Sequence, residues 1–146
     1  MLSTPHLLVG AAIAHSIPEP AIALPAAFLS HFVLDAAPHW DGSPKAPFSK
    51  KLIGGIVADY VFGMTLVYLI STGQPNQIII LLGAFLATLP DFIMAVTRHF
   101  PTPLARLPLI GTFNKHHINI QNNVHIAQGL LSSSVVSLAA IMFLFR

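Results

Sequence analysis

The chain couples histidine and aspartate to small residues at four-residue steps. The stripes read His6-Gly10-Ala14, Ala23-Ala27-His31-Asp35, Gly55-Asp59-Gly63, Gly83-Ala87-Asp91-Ala95 and His125-Gly129-Ser133-Ser137. Residues four apart on a helix lie about 40° apart around its axis, so each stripe marks one face. Imidazole nitrogen and carboxylate oxygen are ligands that suit zinc, manganese or iron, and the same groups take up and release protons. His31 and Asp35 stand i,i+4 on one face, spaced so that two ligands address one ion. Small residues let apolar helices approach closely in lipid, and ionisable groups at membrane depth face the bundle interior or a wet cavity. The stripes are therefore expected to point inward, and those ending at a common depth would build one polar site. Taken one at a time, each stripe also reads as ordinary helix packing.

The elements that must position these faces are membrane helices. Only 8% of the residues are charged and 54% are hydrophobic, against roughly 25% charged in an ordinary soluble domain. The 146 residues contain no charge run or low-complexity linker and read as a single membrane-embedded helical domain, 1–146. The absence of cysteine excludes disulfides, thiolate metal sites and cysteine nucleophiles. A net charge of +2 without a basic run gives no reason to expect a nucleic-acid partner. No basic segment precedes the first apolar stretch, and Pro18 and Pro20 follow it, which does not fit a cleaved signal peptide.

Five apolar stretches can be drawn: Leu2–Ile17, Ala21–Ala37, Leu52–Ser71, Gln77–Val96 and Val124–Phe145. The last three approach the roughly 20 residues needed to span a bilayer, and the first two suit a tight, partly inserted hairpin. An all-α integral membrane bundle of four to five segments follows. Lys45, Lys50 and Lys51 fall after the second stretch, and Arg98, Arg106 and Lys115 after the fourth. By the positive-inside rule both loops are cytoplasmic, which puts His6, Asp35, Asp59, Asp91 and His125 all towards that face. His39, Asp41, His99, His116 and His117 belong to the same two loops, while His15 alone lies near the opposite side.

Asp35 and Asp91 sit near the C-terminal ends of their helices, where the macrodipole disfavours a negative charge, so a cation is expected beside them. Pro38 forces Ala37 out of helical geometry, letting His39 reach back from a turn. Pro90 is expected to kink the fourth helix and free a carbonyl. Asp59 and Asp91 have no lysine or arginine at helical spacing within their own segments, which favours function over packing for both. His15 and His99 read as interfacial residues, and Trp40 as part of an interfacial aromatic belt. The stretch Arg98–Asn123 alternates prolines with Leu104, Leu107, Leu109, Ile110 and Phe113. It suits either an ordinary connector or a segment lying on lipid headgroups.

The blocks Thr4-Pro5-His6, Ser30-His31-x-x-Leu34-Asp35-x-x-Pro38-His39-Trp40-Asp41, Leu89-Pro90-Asp91 and Lys115-His116-His117 through His125 run through nearly the whole chain. In them the chain resembles the YdjM-like small bacterial membrane-bound metal-dependent hydrolases, whose His/Asp pattern is similar to that of zinc-dependent phospholipase C. The resemblance implies an all-helical site for one or two divalent ions, zinc first and manganese or iron otherwise. It also implies hydrolysis of an ester or phosphoester, with a membrane lipid as substrate and a bacterial inner membrane as location. Position by position, His6, His31, Asp35, His39, Asp91, His116, His117 and His125 match candidate ligands, with the register of the last three open. Lys115-His116-His117-Ile118-Asn119 stands where many relatives carry a His-Arg-Gly-type block, and Phe92-Ile93 rather than a second acid follows Asp91. For the general base the residues suggest Asp59 or Asp41. Two rival functions remain: a proton or metal-ion transporter using intramembrane Asp and His, and a membrane protein stabilised by metal without turnover.

Overall fold

The structure, a computed structural model, describes residues 1–40, 49–99 and 102–145. Six α-helices carry the fold: α1 (Ser3–Ser16), α2 (Pro20–Ala36), α3 (Lys50–Ser71), α4 (Gln77–His99), α5 (Pro108–Ile120) and α6 (Ile126–Leu144), with a 3-10 turn at Pro103–Arg106 before α5. The local chemistry of their ends explains where they start and stop. Pro20 and Pro108 open α2 and α5, where the missing N–H costs nothing. Ser49 Oγ accepts the Leu52 N–H to cap α3. Ala37, held extended at φ −70°, ψ 150° ahead of Pro38, ends α2 as expected. Gly73 makes the turn between α3 and α4 at φ 84°.

The short helix α1 stands in the middle, against α2, α3, α4 and α6. Pro5, His6, Leu7 and Leu8 are consecutive, point in four directions and are all buried. Leu7, Leu8 and Ala11 meet Val67, Ile80, Ala84, Ala140 and Leu144 in an apolar core. The outer faces are apolar too: Leu29, Val33, Val61, Leu69, Leu82, Leu131, Leu138 and Met142 are exposed. A helical assembly apolar both inside and outside is built for lipid. Among the described residues three helices, α3, α4 and α6, are long and apolar enough to cross a membrane.

The small-residue faces are what bring the helices together. A Cβ on Gly10 would overlap the Gly83 carbonyl and the Ala87 side chain, and one on Gly83 would overlap Ala14 and the Gly10 carbonyl. The α1 and α4 backbones are therefore in direct contact. Gly63 admits Thr4 and Leu7 in the same way, and Gly129 admits His39 and Trp40. On α2 the buried residues are Ala23, Ala27, His31 and Asp35, the complete stripe.

The structure refines three expectations. Gly55 meets nothing within 4 Å, so its stripe turns inward only from Asp59 onward. Asp59 lies level with Ser3 and Thr4, and the turn of α3 before it projects past the start of α1. The first two segments do pack on each other as a tight pair, but α1 is also covered by α3, α4 and α6 and so stands at the centre of the bundle. Finally, the proline-rich stretch after α4 contains helix α5. Pro103 and Pro108 stand at the starts of the 3-10 turn and of α5.

Candidate metal centre

Four side chains from three helices and the end of the bundle converge: His31 and Asp35 from α2, Asp91 from α4 and His117 from α5. One ligand atom from each lies within 4.8 Å of all the others. His31, Asp35 and His117 are fully buried, whereas Asp91 is 36% exposed and forms the open edge. The i,i+4 pair on α2 does address one point, because His31 Nε2 is 3.1 Å from Asp35 Oδ2.

The hydrogen bonds decide which atoms face inward. His31 Nδ1 lies 2.7 Å from the Ala87 carbonyl. A carbonyl only accepts, so Nδ1–H donates and the neutral ring presents its Nε2 lone pair to the group. Pro90 strips the Leu86 carbonyl of its N–H donor, and the carbonyl recruited by His31 is the next one along. His31 Nε2 and His117 Nε2 are 2.9 Å apart, and His117 Nε2 is 3.0 Å from Asp35 Oδ2. The Asp35 carboxylate only accepts, so without an ion His117 Nε2–H donates into this group; on losing that proton, the two nitrogens and the carboxylate oxygen would form a triangle of ligand atoms. Asp91 Oδ1 completes the set at 3.6 Å from His31 Nε2 and 3.5 Å from His117 Nε2. These five separations run from 2.9 to 3.6 Å, and the remaining pair, Asp35 with Asp91, lies within 4.8 Å, spacings at which four ligand atoms can surround one ion. The donor set therefore fits a divalent ion, and the cluster could hold one.

Asp35 has a second side. Its Oδ1 lies 2.7 Å from the Met1 amino nitrogen and 3.2 Å from His6 Nε2. The His6 ring stacks on His31 with centroids 4.2 Å apart. Outside the imidazoles, Phe32 lies edge-on to His31 and His117, and Phe113 edge-on to Phe32. This aromatic layer fixes ring orientation and keeps water from the buried side. Asn122 N–H donates to the Asp35 carbonyl, while His39 pairs through its backbone with Asn122 and Val124. Those bonds tie the α5–α6 connection to the end of α2 and so carry α5 over the site.

Of the ligands expected from sequence, His6, His31, Asp35, Asp91 and His117 are brought together. His39 is buried but lies outside the four-residue group, its Nδ1–H donating to the Ala37 carbonyl at 2.9 Å. His116 is exposed, turned about 100° round α5 from His117, and His125 is exposed as the N-cap of α6. One helix cannot aim the adjacent residues His116 and His117 at the same point, which resolves that register in favour of His117. Asp41 lies outside the described residues. Trp40, expected in an interfacial belt, packs against Gly129. The aromatic layer and the Ala87 carbonyl went unread because neither carries a sequence signature.

Asp59 has a different place from the base expected of it. Its Oδ2 accepts the Ser3 and Thr4 N–H groups, and its Oδ1 accepts the Thr4 hydroxyl at 2.7 Å. The residue preceding α1, Leu2, offers no side-chain cap. Asp59 therefore caps α1 from α3, with its charge at the positive end of the α1 dipole. Asp59→Leu is expected to cost about 2 kcal/mol by stranding these donors, with Asp59→Asn losing less. Thermal unfolding of both variants with metal content measured in parallel checks this; a leucine variant as stable as the parent would remove the cap. Comparison of the chain with family models, curated proteins and solved structures returns no match, so the site stands on its geometry.

Proposed function

We propose that the protein is a metal-dependent hydrolase of a membrane lipid or other amphiphilic ester or phosphoester, with its site near the cytoplasmic face of the bacterial inner membrane. The observation that carries this reading is the convergence of His31, Asp35, His117 and Asp91 with only Asp91 open to the outside. His31, Asp35 and His117 would hold the ion from the buried side, zinc being the first choice for two imidazoles and carboxylate oxygen. When bound, such an ion supplies Lewis acidity, activating water and polarising a scissile phosphoryl or carbonyl oxygen. Asp91, at the open edge, is placed to complete the ligand set and to take a proton from water arriving on that side. The basic residues Lys50, Lys51, Arg98, Arg106 and Lys115 are all on segments at the same end of the bundle, consistent with a cytoplasmic site. The resemblance of the His/Asp blocks to the YdjM-like hydrolases supports the same reading.

Transport is less well supported. Among the described residues the buried polar side chains other than His6, His31, Asp35, His39 and His117 are the hydroxyls of Ser71, Thr88, Thr97 and Ser133, with no further buried carboxylate or imidazole to relay a proton or hold a metal ion towards the other end. The test is hydrolysis of a panel of phospholipids and acyl esters by protein loaded with zinc, manganese or iron. Turnover should require metal and fall at least about 100-fold in Asp91→Asn. Metal-loaded, folded protein that cleaves nothing in the panel would shift the reading to a metal-stabilised structural protein.

A further inference from the structure

Helix α5 supplies a candidate ligand while burying almost nothing else. Among the described residues of α5, His117 alone is buried, and the 3-10 turn leading into the helix buries none of its own. Leu109, Thr112, Lys115, His116, Ile118 and Asn119 are exposed. Where α1 is held by apolar burial and by backbone contact, α5 has little buried apolar area to hold it down. Its attachments over the site are specific instead. His117 Nε2–H donates to Asp35 at 3.0 Å, Asn114 Nδ2–H donates to Thr97 Oγ1 on α4 at 2.9 Å, and the Phe113 ring meets Phe32 edge-on. Each of these hydrogen bonds is exchanged for one with water if the helix lifts, so its net hold is small. Backbone bonds tie down the C-terminal end. Asn122 N–H donates to the Asp35 carbonyl at 3.0 Å, the Asn122 carbonyl accepts the His39 N–H at 3.0 Å, and Val124 N–H donates to the His39 carbonyl at 2.8 Å. They make a fixed point about which the rest of α5 can turn. His31, Asp35 and Asp91, in contrast, stand on α2 and α4, which pack on each other and on α1.

We infer that α5 is a hinged flap latched through His117 by a divalent ion: with the ion bound it lies over the centre, and without it the helix swings about 122–124 and uncovers His31 and Asp35. Segments that open locally are those with few buried apolar contacts, and α5 is such a segment. An ion that takes His117 as a ligand binds the closed arrangement and shifts the equilibrium towards it by mass action. Three ligands on the packed part of the bundle receive the ion, and His117 closes over it as the fourth. The inference rests on the metal centre behind the proposed function and not on hydrolysis.

The test is amide hydrogen exchange, read by mass spectrometry on the full chain in detergent micelles, with zinc content measured in the same samples. A free helix of 13 residues is marginal in water, so the α5 amides exchange when it lifts. In chelator-treated protein α5 should exchange much faster than α4 and α6. Zinc at a hundredfold excess over its dissociation constant should slow α5 about 100-fold, the factor by which mass action favours the closed form, and should slow α3 and α6 far less. His117→Ala should leave α5 fast with or without zinc. Asn114→Ala, which keeps the ligand, should speed exchange in stripped protein and still respond to zinc. The parent with and without zinc needs no variant, so a misfolded substitution does not blunt the test. Bound zinc with α5 exchange unchanged, or a slowing shared equally by all the helices, would overturn the latch and leave the metal centre standing. Protein that takes up no zinc would remove the centre and the latch together.

Discussion

Protein stripped with chelator and then supplied with zinc or manganese is expected to gain thermal stability, and Asp35→Asn to gain almost none. The reason is the central place of Asp35. Its Oδ2 meets His31 and His117 at 3.1 and 3.0 Å, and its Oδ1 meets His6 and the Met1 amino nitrogen. An ion bound only by the folded state stabilises it by about 2.7 kcal/mol at a hundredfold excess over its dissociation constant. An amide in place of the carboxylate keeps the shape but removes the charge that an ion between two neutral imidazoles needs. His117→Ala should lose the gain as well, while His116→Ala and His125→Ala, which alter exposed residues, should keep it. Calorimetric melting with and without metal, alongside elemental analysis, measures each part. A parent protein indifferent to every divalent ion would leave Asp35 as the partner of His6, His31, His117 and the Met1 amino group alone and end the metal-centre reading.

Gly83→Val is expected to prevent assembly of the bundle, whereas Gly55→Ala should stabilise it slightly. Both replace a helical glycine, and the difference lies in what the new atoms meet. At Gly83 the first added carbon already overlaps Ala14 and the Gly10 carbonyl, and two helix backbones have no rotamer by which to yield. Overpacking of this kind costs about 3 kcal/mol or more, and separating α1 from α4 would also pull His6 away from the Ala87 side of the site. At Gly55 nothing lies within 4 Å, so alanine gains about 0.5–1 kcal/mol of helix propensity without a clash. Helicity and melting temperature in detergent measure both. A Gly83→Val protein with unchanged melting would mean that the α1–α4 contact does not hold the fold together.

Much of the site was legible because membrane helices leave so few choices. A chain with 8% charged residues can hide an acid only on an inward face, so the four-residue stripes and the matching depths of His6, Asp35, Asp59, Asp91 and His125 could be read without coordinates. Proline rules placed the end of α2 at Ala37 for the same reason, since the steric restriction is local. Alternatives stayed open where local rules carried two meanings. Pro103 and Pro108 can break a helix or begin one, and only the docking of α5 over Phe32 and His31 shows which. An intramembrane Asp59 without a basic neighbour can be a base or a cap, and the donors that answer the question lie 55 and 56 residues away on α1.

The sequence by itself determined an all-helical, lipid-compatible bundle, the inward faces of its helices and the end at which the imidazoles and carboxylates collect. Periodicity and the cost of burying charge are properties of each segment alone, and they suffice for that much. Only the tertiary structure decided that α1 is the central helix, that His117 rather than His116 joins the centre, and that His125 caps α6. Those outcomes depend on helix rotation and on which backbones can touch. Both are set by side chains far apart in sequence, as where Gly10 meets Gly83 and where Asn122 binds the Asp35 carbonyl.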